Sequence, residues 1–326
     1  MNNTITPSSN RGFLMASYTT IGLLGVLGNS LVLFVFRKSR NLRKYNSSLF
    51  IINQSLLDLV SAVVLIVAKW VEEEVDESRA LKNDVAKWLF CHLWFGEIAL
   101  WGLMTSSTYN LVVLSLERYA SVRHPITHKR YVGKRVILTA AITVWILGWG
   151  YETIYHGAVN KVFPSGHCGS FANWPNDQVR QAIGIFTLVL QFFFPLIVLS
   201  FSYISIWNIF RTKVSANGNR NGTTIQTKAE KNERVRKNTI KTFMIVAVAF
   251  VLCWSWNEVY FFIFNLGYPL SLDSSFYHFT VLMVFLNCCI NPVVYMVRYE
   301  EFKLSLKRLF KSRIAPVITE ETSCAD

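Results

Sequence analysis

The sequence predicts an all-α membrane protein, a seven-transmembrane helix bundle with a short amphipathic eighth helix on the inner leaflet. Three observations carry this. Hydrophobic residues make up 52% of the 326 residues and charged residues only 16%, against about 25% charged in soluble domains. The charges are clustered, leaving seven continuous apolar runs long enough to cross about 30 Å of hydrocarbon as helices; continuous rather than alternating runs favour helices over barrel strands. Of the 33 Lys and Arg, 26 fall in the alternate connecting segments 37–44, 118–135, 211–241 and 298–313. That bias puts those segments inside, the N-terminus outside and the C-terminus in the cytoplasm. The net charge of +13 thus reads as topology, and no nucleic-acid partner is expected.

Residues 1–12 read as the extracellular N-terminus. They lack the basic start and short apolar core of a cleavable signal, and Asn2 opens an N-N-T glycosylation sequon. The seven-transmembrane domain covers 13–297, with spans at 13–37, 47–70, 88–121, 134–157, 181–211, 238–266 and 275–297. Segment 213–236 is polar and reads as an inner loop, helical toward its basic end. Over 298–311, YEEFKLSLKRLF places Phe302, Leu306, Leu309 and Phe310 on one stripe flanked by Lys303, Lys307, Arg308 and Lys311. That pattern predicts an amphipathic helix on the inner leaflet, meeting anionic membrane lipids. Residues 312–326 form a cytoplasmic tail, where Thr319, Thr322 and Ser323 are candidate phosphorylation sites.

Polar groups inside the spans are costly unless they face a cavity or a partner. Asp58 lies mid-span in the second segment; Asn29, Ser107, Asn287 and Asn291 lie at similar depth in others. Together they suggest a polar pocket for water or a small cation, with hydrogen-bonding glue between helices as the alternative. Nearer the outside, Glu97, Glu152 and Glu258 sit among Trp101, Tyr151, Tyr155, Trp256, Phe261, Phe262 and Tyr277. Such a mixture describes either an interfacial belt or a cavity for a cationic or aromatic ligand. Glu97 reads equally as a solvated helix end. Of the six cysteines, only Cys91 and Cys168 fall on the outer side as a pair, and a bridge between them would pin an outer loop over the bundle.

Enzyme signatures such as H-E-x-x-H, G-x-S-x-G and a P-loop do not occur, and the six histidines are scattered, so no catalytic function is expected. Transporter repeats are not visible either, which leaves a transporter or channel as a remote alternative.

In order along the chain stand Gly28–Asn29, SLLDL around Asp58, Cys91, Glu117–Arg118–Tyr119, Trp145, Pro195 with Tyr203, Phe250 with Cys253–Trp254, and Asn291–Pro292–Val293–Val294–Tyr295. With this ordered set the chain resembles rhodopsin-like (class A) G protein-coupled receptors over roughly residues 13–311, and it is most similar to the galanin, allatostatin and somatostatin branch. The resemblance implies a plasma-membrane receptor for an extracellular neuropeptide or small peptide that activates heterotrimeric G proteins by outward movement of the sixth helix. A small non-peptide ligand, amine or lipid, is the alternative.

It implies residue roles too. Asp58, Ser107, Asn287 and Asn291 match the family's allosteric sodium site. Trp254 and Phe250 match the toggle beneath the ligand pocket. Glu117, Arg118, Tyr119, Tyr203, Asn291, Pro292 and Tyr295 match the coupling switch. Ligand contacts are expected among Glu97, Leu100, Trp101, Glu152, Asn257, Glu258, Phe261 and Tyr277. Leu100 stands where amine receptors carry an aspartate, which disfavours an amine, and 275–297 holds no lysine for retinal. No cofactor is expected beyond a sodium ion.

Three departures stand out. The sixth span reads Cys253–Trp254–Ser255–Trp256 without the family's proline. The acid that often locks the arginine is replaced by Arg236. The interval from Cys91 to Arg118 is two residues longer than usual, which implies a bulge near Glu97. The acidic first outer loop, with Glu72, Glu73, Glu74, Asp76 and Glu77, reads equally as a steering surface for a basic or amidated peptide and as a merely solvated loop.

Overall fold

Spans in a bilayer must satisfy their own backbones, as helices or closed barrels, and helices are what the chain forms. The structure, a computed structural model, describes residues 8–44, 46, 48–74, 83–95, 97–164, 168–217 and 228–314. Among them, seven helices are long and apolar enough to cross a membrane. The first four are Ser8–Lys38, Ser48–Glu74, Ile98–Arg123 and Lys134–Val159. The fifth runs through Asp177–Leu188 and Phe194–Asn217 with a π turn at Val189–Phe193 between them. Lys228–Asn265 and Ser275–Arg298 are the sixth and seventh.

Side chains fix several starts: Asn176 accepts from the Val179 N–H at 2.8 Å and Ser274 from the Tyr277 N–H at 3.1 Å. The first helix begins ahead of residue 13. The eighth, Glu300–Ile314, is shifted toward the C-terminus of 298–311 because Tyr299 is extended and breaks it from the seventh.

The third span is the axis of the bundle, buried along most of its length from Ile98 to Ser115. The first and fourth spans lie outside it, with Leu23, Leu24, Leu27, Ile142, Ile146 and Leu147 exposed to the lipid. Packing across the centre is close where residues are small. A Cβ on Gly28 would sit 3.0 Å from Pro292, so the first and seventh spans nearly touch. There Asn29 Nδ2 donates to the Cys288 carbonyl at 3.0 Å.

At the far end Phe302 of the eighth helix is fully buried against Phe36, with ring centroids 6.2 Å apart. The Ser305 and Ser39 hydroxyls meet at 2.9 Å. Lys307 and Arg308 stay exposed; the side chains of Phe310 and Lys311 lie outside the described residues.

The expected bulge ahead of the third span is a complete break. A short helix, Asp84–Leu89, and a π turn, Phe90–Phe95, precede it. Glu97 then takes φ 53°, a left-handed backbone that cannot continue a right-handed helix. The span therefore starts at Ile98, not at 88. Cys91 in the π turn is disulfide-bonded to Cys168, which lies in a hairpin pairing Lys161–Val162 with Cys168–Gly169. In the chain-entropy view a closed loop of this length is worth about 4 kcal/mol. The bridge holds the hairpin over the outer end of the bundle.

Without its proline, the sixth helix runs 38 residues from Lys228 to Asn265 with no interruption. Asn2, Asp76, Glu77, Thr319, Thr322 and Ser323 lie outside the described residues, as do the side chains of Glu72, Glu73, Glu74 and Arg236.

Candidate functional site

Three polar sites occur at three depths. The middle one surrounds Asp58, fully buried in the second span. Its Oδ1 accepts from Gln54 Nε2 at 3.1 Å and from the Ser107 hydroxyl at 2.9 Å, and its Oδ2 accepts from Asn291 Nδ2 at 2.7 Å. Gln54 also donates to Ser107. The network continues through Asn110, whose Nδ2 donates to Gln54 Oε1 at 2.8 Å. It reaches Asn53, which accepts from Trp145 Nε1 at 2.9 Å. Four spans are tied together this way, so the bonding between helices anticipated from sequence is present.

A cation would fit the same place. The Oδ1 atoms of Asn287 and Asn291 are buried acceptors without a hydrogen-bond partner, beside a single carboxylate. One charge with neutral oxygens suits a monovalent hard ion better than a divalent one. Gln54, a polar neighbour of Asp58 already visible in the SLFIINQSLLDL run, belongs to this cluster on geometry.

The inner site holds Glu117–Arg118–Tyr119. Glu117, 8% exposed, accepts from His128 Nε2 at 2.9 Å through Oε1. Its Oε2 lies 3.5 Å from Arg118 Nε. His128 belongs to the short helix Pro125–Tyr131, started by Pro125 at its first position. Sequence reasoning missed it, since nothing marks one histidine in HPITHKRY. Tyr203 and Tyr295 are buried nearby in the core, and Tyr119 packs on Phe201 at 5.3 Å. The inner end of the sixth helix is tied to the eighth by Asn238 Nδ2 donating to Glu300 Oε1 at 2.6 Å.

At the outer end, a cavity of about 40 Å³ is lined by Trp101, Glu152, Tyr155, His156, Phe171, Thr187, Gln191, Asn257, Glu258 and Phe261. Five of the eight expected ligand residues are brought together here. The other three are not. Glu97 turns away to an ion pair with Lys69 at 2.6 Å and accepts from Trp101 Nε1 at 2.9 Å. Its side chain is 14% exposed, so it is a buried brace rather than a solvated helix end. Leu100 is buried in the core, and Tyr277 supports Phe261 from behind at 6.0 Å.

Gln191 arrives through the π turn. Pro195 has no N–H to bond the carbonyl four residues back, and the Phe194 N–H reaches to Val189, five residues back. The extra residue turns Gln191 toward Glu152, whose Oε1 accepts from Gln191 Nε2 at 2.6 Å and from Thr105 at 2.7 Å. Pro195 preceded by a lone glutamine was the available signal.

Phe171 closes the top from φ 55°. That backbone is uncommon for an aromatic residue, and such strain gathers at functional sites. The Asn160 side chain holds it, accepting from the Phe171 N–H at 3.2 Å. Trp254, buried one turn below Glu258, contacts Phe250 at 5.7 Å.

Seven spans around an outer recess and an inner ion pair define the class as a seven-span membrane protein. Sequence comparison places it further. The family described as 7 transmembrane receptor (rhodopsin family) matches residues 28–295, and the chain belongs to that family. It is 26% identical over 309 residues to galanin receptor type 1 of Rattus norvegicus, covering 89% of this chain and 80% of that one. Galanin receptor 2a of Danio rerio is 26% identical over 300 residues, with 90% and 76% covered. Somatostatin receptor type 3 of Mus musculus is 28% identical over 306 residues, with 90% and 67% covered. These relatives are receptors, and this chain is a multi-pass plasma-membrane receptor, not an enzyme.

Proposed function

We propose that the chain is a G protein-coupled receptor for an extracellular peptide, with its N-terminus outside and its C-terminus inside. One observation carries the reading: the sixth helix is continuous from the residues lining the outer recess, Asn257, Glu258 and Phe261, to Asn238 beside the eighth helix. A ligand contact at its outer end can therefore bias the position of its inner end. The relatives named as galanin and somatostatin receptors support a peptide over an amine or lipid. In this mechanism the peptide favours an arrangement in which the inner half of the sixth helix moves outward and Arg118 leaves Glu117 for Tyr203. G protein binds the opened crevice, and each ligand raises the affinity for the other. Arrestin would bind the tail once Thr319, Thr322 and Ser323 are phosphorylated, and the basic inner segments would meet anionic lipids.

A library of short amidated peptides, applied to cells expressing the full chain with a G protein activation readout, tests this. At least one peptide is expected to activate above mock-transfected cells. Activation only by amines or lipids would overturn the peptide assignment.

Sodium is proposed to bind at Asp58, stabilising the resting packing. Asp58→Asn is expected to abolish the sodium sensitivity of agonist binding, where the unsubstituted receptor loses affinity as sodium rises. Retained sensitivity in the variant would remove the ion from this site.

A further inference from the structure

The outer recess contains two carboxylates in different states. Glu152 is saturated: Thr105 and Gln191 donate to one oxygen, and His156 Nε2 lies 3.4 Å from the other. Glu258 is only 4% exposed and lines the cavity, yet no hydrogen bond or ion pair reaches it from any described residue. Among the described residues, two cations at the outer end are engaged elsewhere. Lys69 is held by Glu97. Arg180 donates to the Phe264 carbonyl and stacks over the Phe264 ring at 4.4 Å.

A buried carboxylate without a partner is costly to keep charged, and a cation entering the cavity would offset that cost. The walls suit one: Trp101, Tyr155, Phe171 and Phe261 surround the two acids with aromatic rings, whose faces attract cations. The cavity is small, about 40 Å³. That is room for a head group of ammonium size.

We propose that the recess between Glu152 and Glu258 is a subsite for a cationic group of the ligand, a primary ammonium held directly by Glu258 and ringed by Trp101, Tyr155, Phe171 and Phe261. Glu152 acts as a positioning residue that adds to the negative field while Gln191 and Thr105 fix it in place. This rests on the reading of the chain as a ligand-activated receptor, and it adds the chemistry the ligand must carry at its deepest point. The lone π turn of the fifth span serves the subsite, because it brings Gln191 to Glu152.

The test uses the purified full chain in detergent at fixed sodium concentration, with n-butylammonium chloride as the probe. Its melting temperature is expected to rise saturably by about 2 °C or more, while n-butanol, which has the same chain and no charge, leaves it unmoved. Glu258→Gln should abolish the rise, and Glu258→Asp should restore part of it. Glu152→Gln should weaken it. In cells, any activating peptide should lose at least about 30-fold in potency when its basic group is replaced by a neutral isostere. Glu258→Gln should cause a similar loss, with little added by combining the two. No butylammonium-dependent rise, or an equal rise in Glu258→Gln, overturns the subsite. A rise that depends on Glu258 while no peptide activates would retain the subsite and overturn the peptide reading instead. Should Glu258→Gln fail to fold, the comparison of Glu258→Asp with Glu152→Gln decides.

Discussion

Glu117→Gln should raise ligand-independent G protein activation from several-fold to about tenfold over the unsubstituted receptor, a shift worth roughly 1.4 kcal/mol at the upper end. The expectation follows from how Arg118 is held. Its guanidinium Nε lies 3.5 Å from Glu117 Oε2, and the other oxygen of Glu117 is shared with His128 at 2.9 Å. Glutamine keeps the shape and one acceptor but removes the charge that attracts the guanidinium. The loss is felt strongly because Glu117 is 8% exposed, where solvent screens charge pairs less.

The sequence also lacks the usual acid on the sixth span, with Arg236 in its place, so the neighbouring glutamate carries more of the restraint. His128→Ala should give a smaller rise, because Glu117 loses the contact that orients its carboxylate beside Arg118, and adding it to Glu117→Gln should change little, since both act through one carboxylate. Basal activation in Glu117→Gln no higher than in the parent receptor would exclude the restraint.

The second large effect concerns stability. Gly148→Ala is expected to lower the amount of folded receptor at the cell surface at least about fivefold, with a loss on the order of 2 kcal/mol from overpacking. A Cβ there would meet the Ser106 hydroxyl, the Ser106 backbone nitrogen at 2.7 Å and the Gly102 carbonyl at 2.8 Å. Two of those three atoms are backbone of the third span, so relief requires the third and fourth helices to separate. Close approach through small residues is how helices associate in lipid, where no hydrophobic force drives them together. The control is two residues away: at Gly150 nothing lies within 4 Å of a Cβ. Gly150→Ala should therefore be neutral or stabilise by about 0.5–1 kcal/mol through helix propensity. Equal surface levels for the two variants would show that the contact between the third and fourth spans is looser than the structure has it.

Much of the site was readable because its residues announce themselves by being costly. Asp58 and Glu258 are carboxylates inside apolar runs, and a polar group in a span has to be explained wherever it sits. Trp101, Glu152, Asn257 and Phe261 were read as outer-level residues and do line the recess. Gln191, Thr105, His156 and Phe171 were not singled out. Their roles depend on partners distant in the chain and on backbone geometry at Val189–Phe193 and at Phe171. Glu97 shows the converse. As an acid near the outer end it qualified as a ligand residue, but its left-handed backbone sends the carboxylate to Lys69.

By itself, then, the sequence determined the number of spans, their order and the basic segments between them, because the bilayer demands long apolar helices and the lysine and arginine bias is a sum over residues. It also determined the ordered motif residues, since each is named by its own type and position. Only the tertiary structure decided which acids share a recess, which one lacks a partner, and where the third span begins. Those outcomes turn on the rotation of each helix about its axis. One left-handed residue at Glu97 or one π turn before Pro195 resets that rotation for everything on the far side.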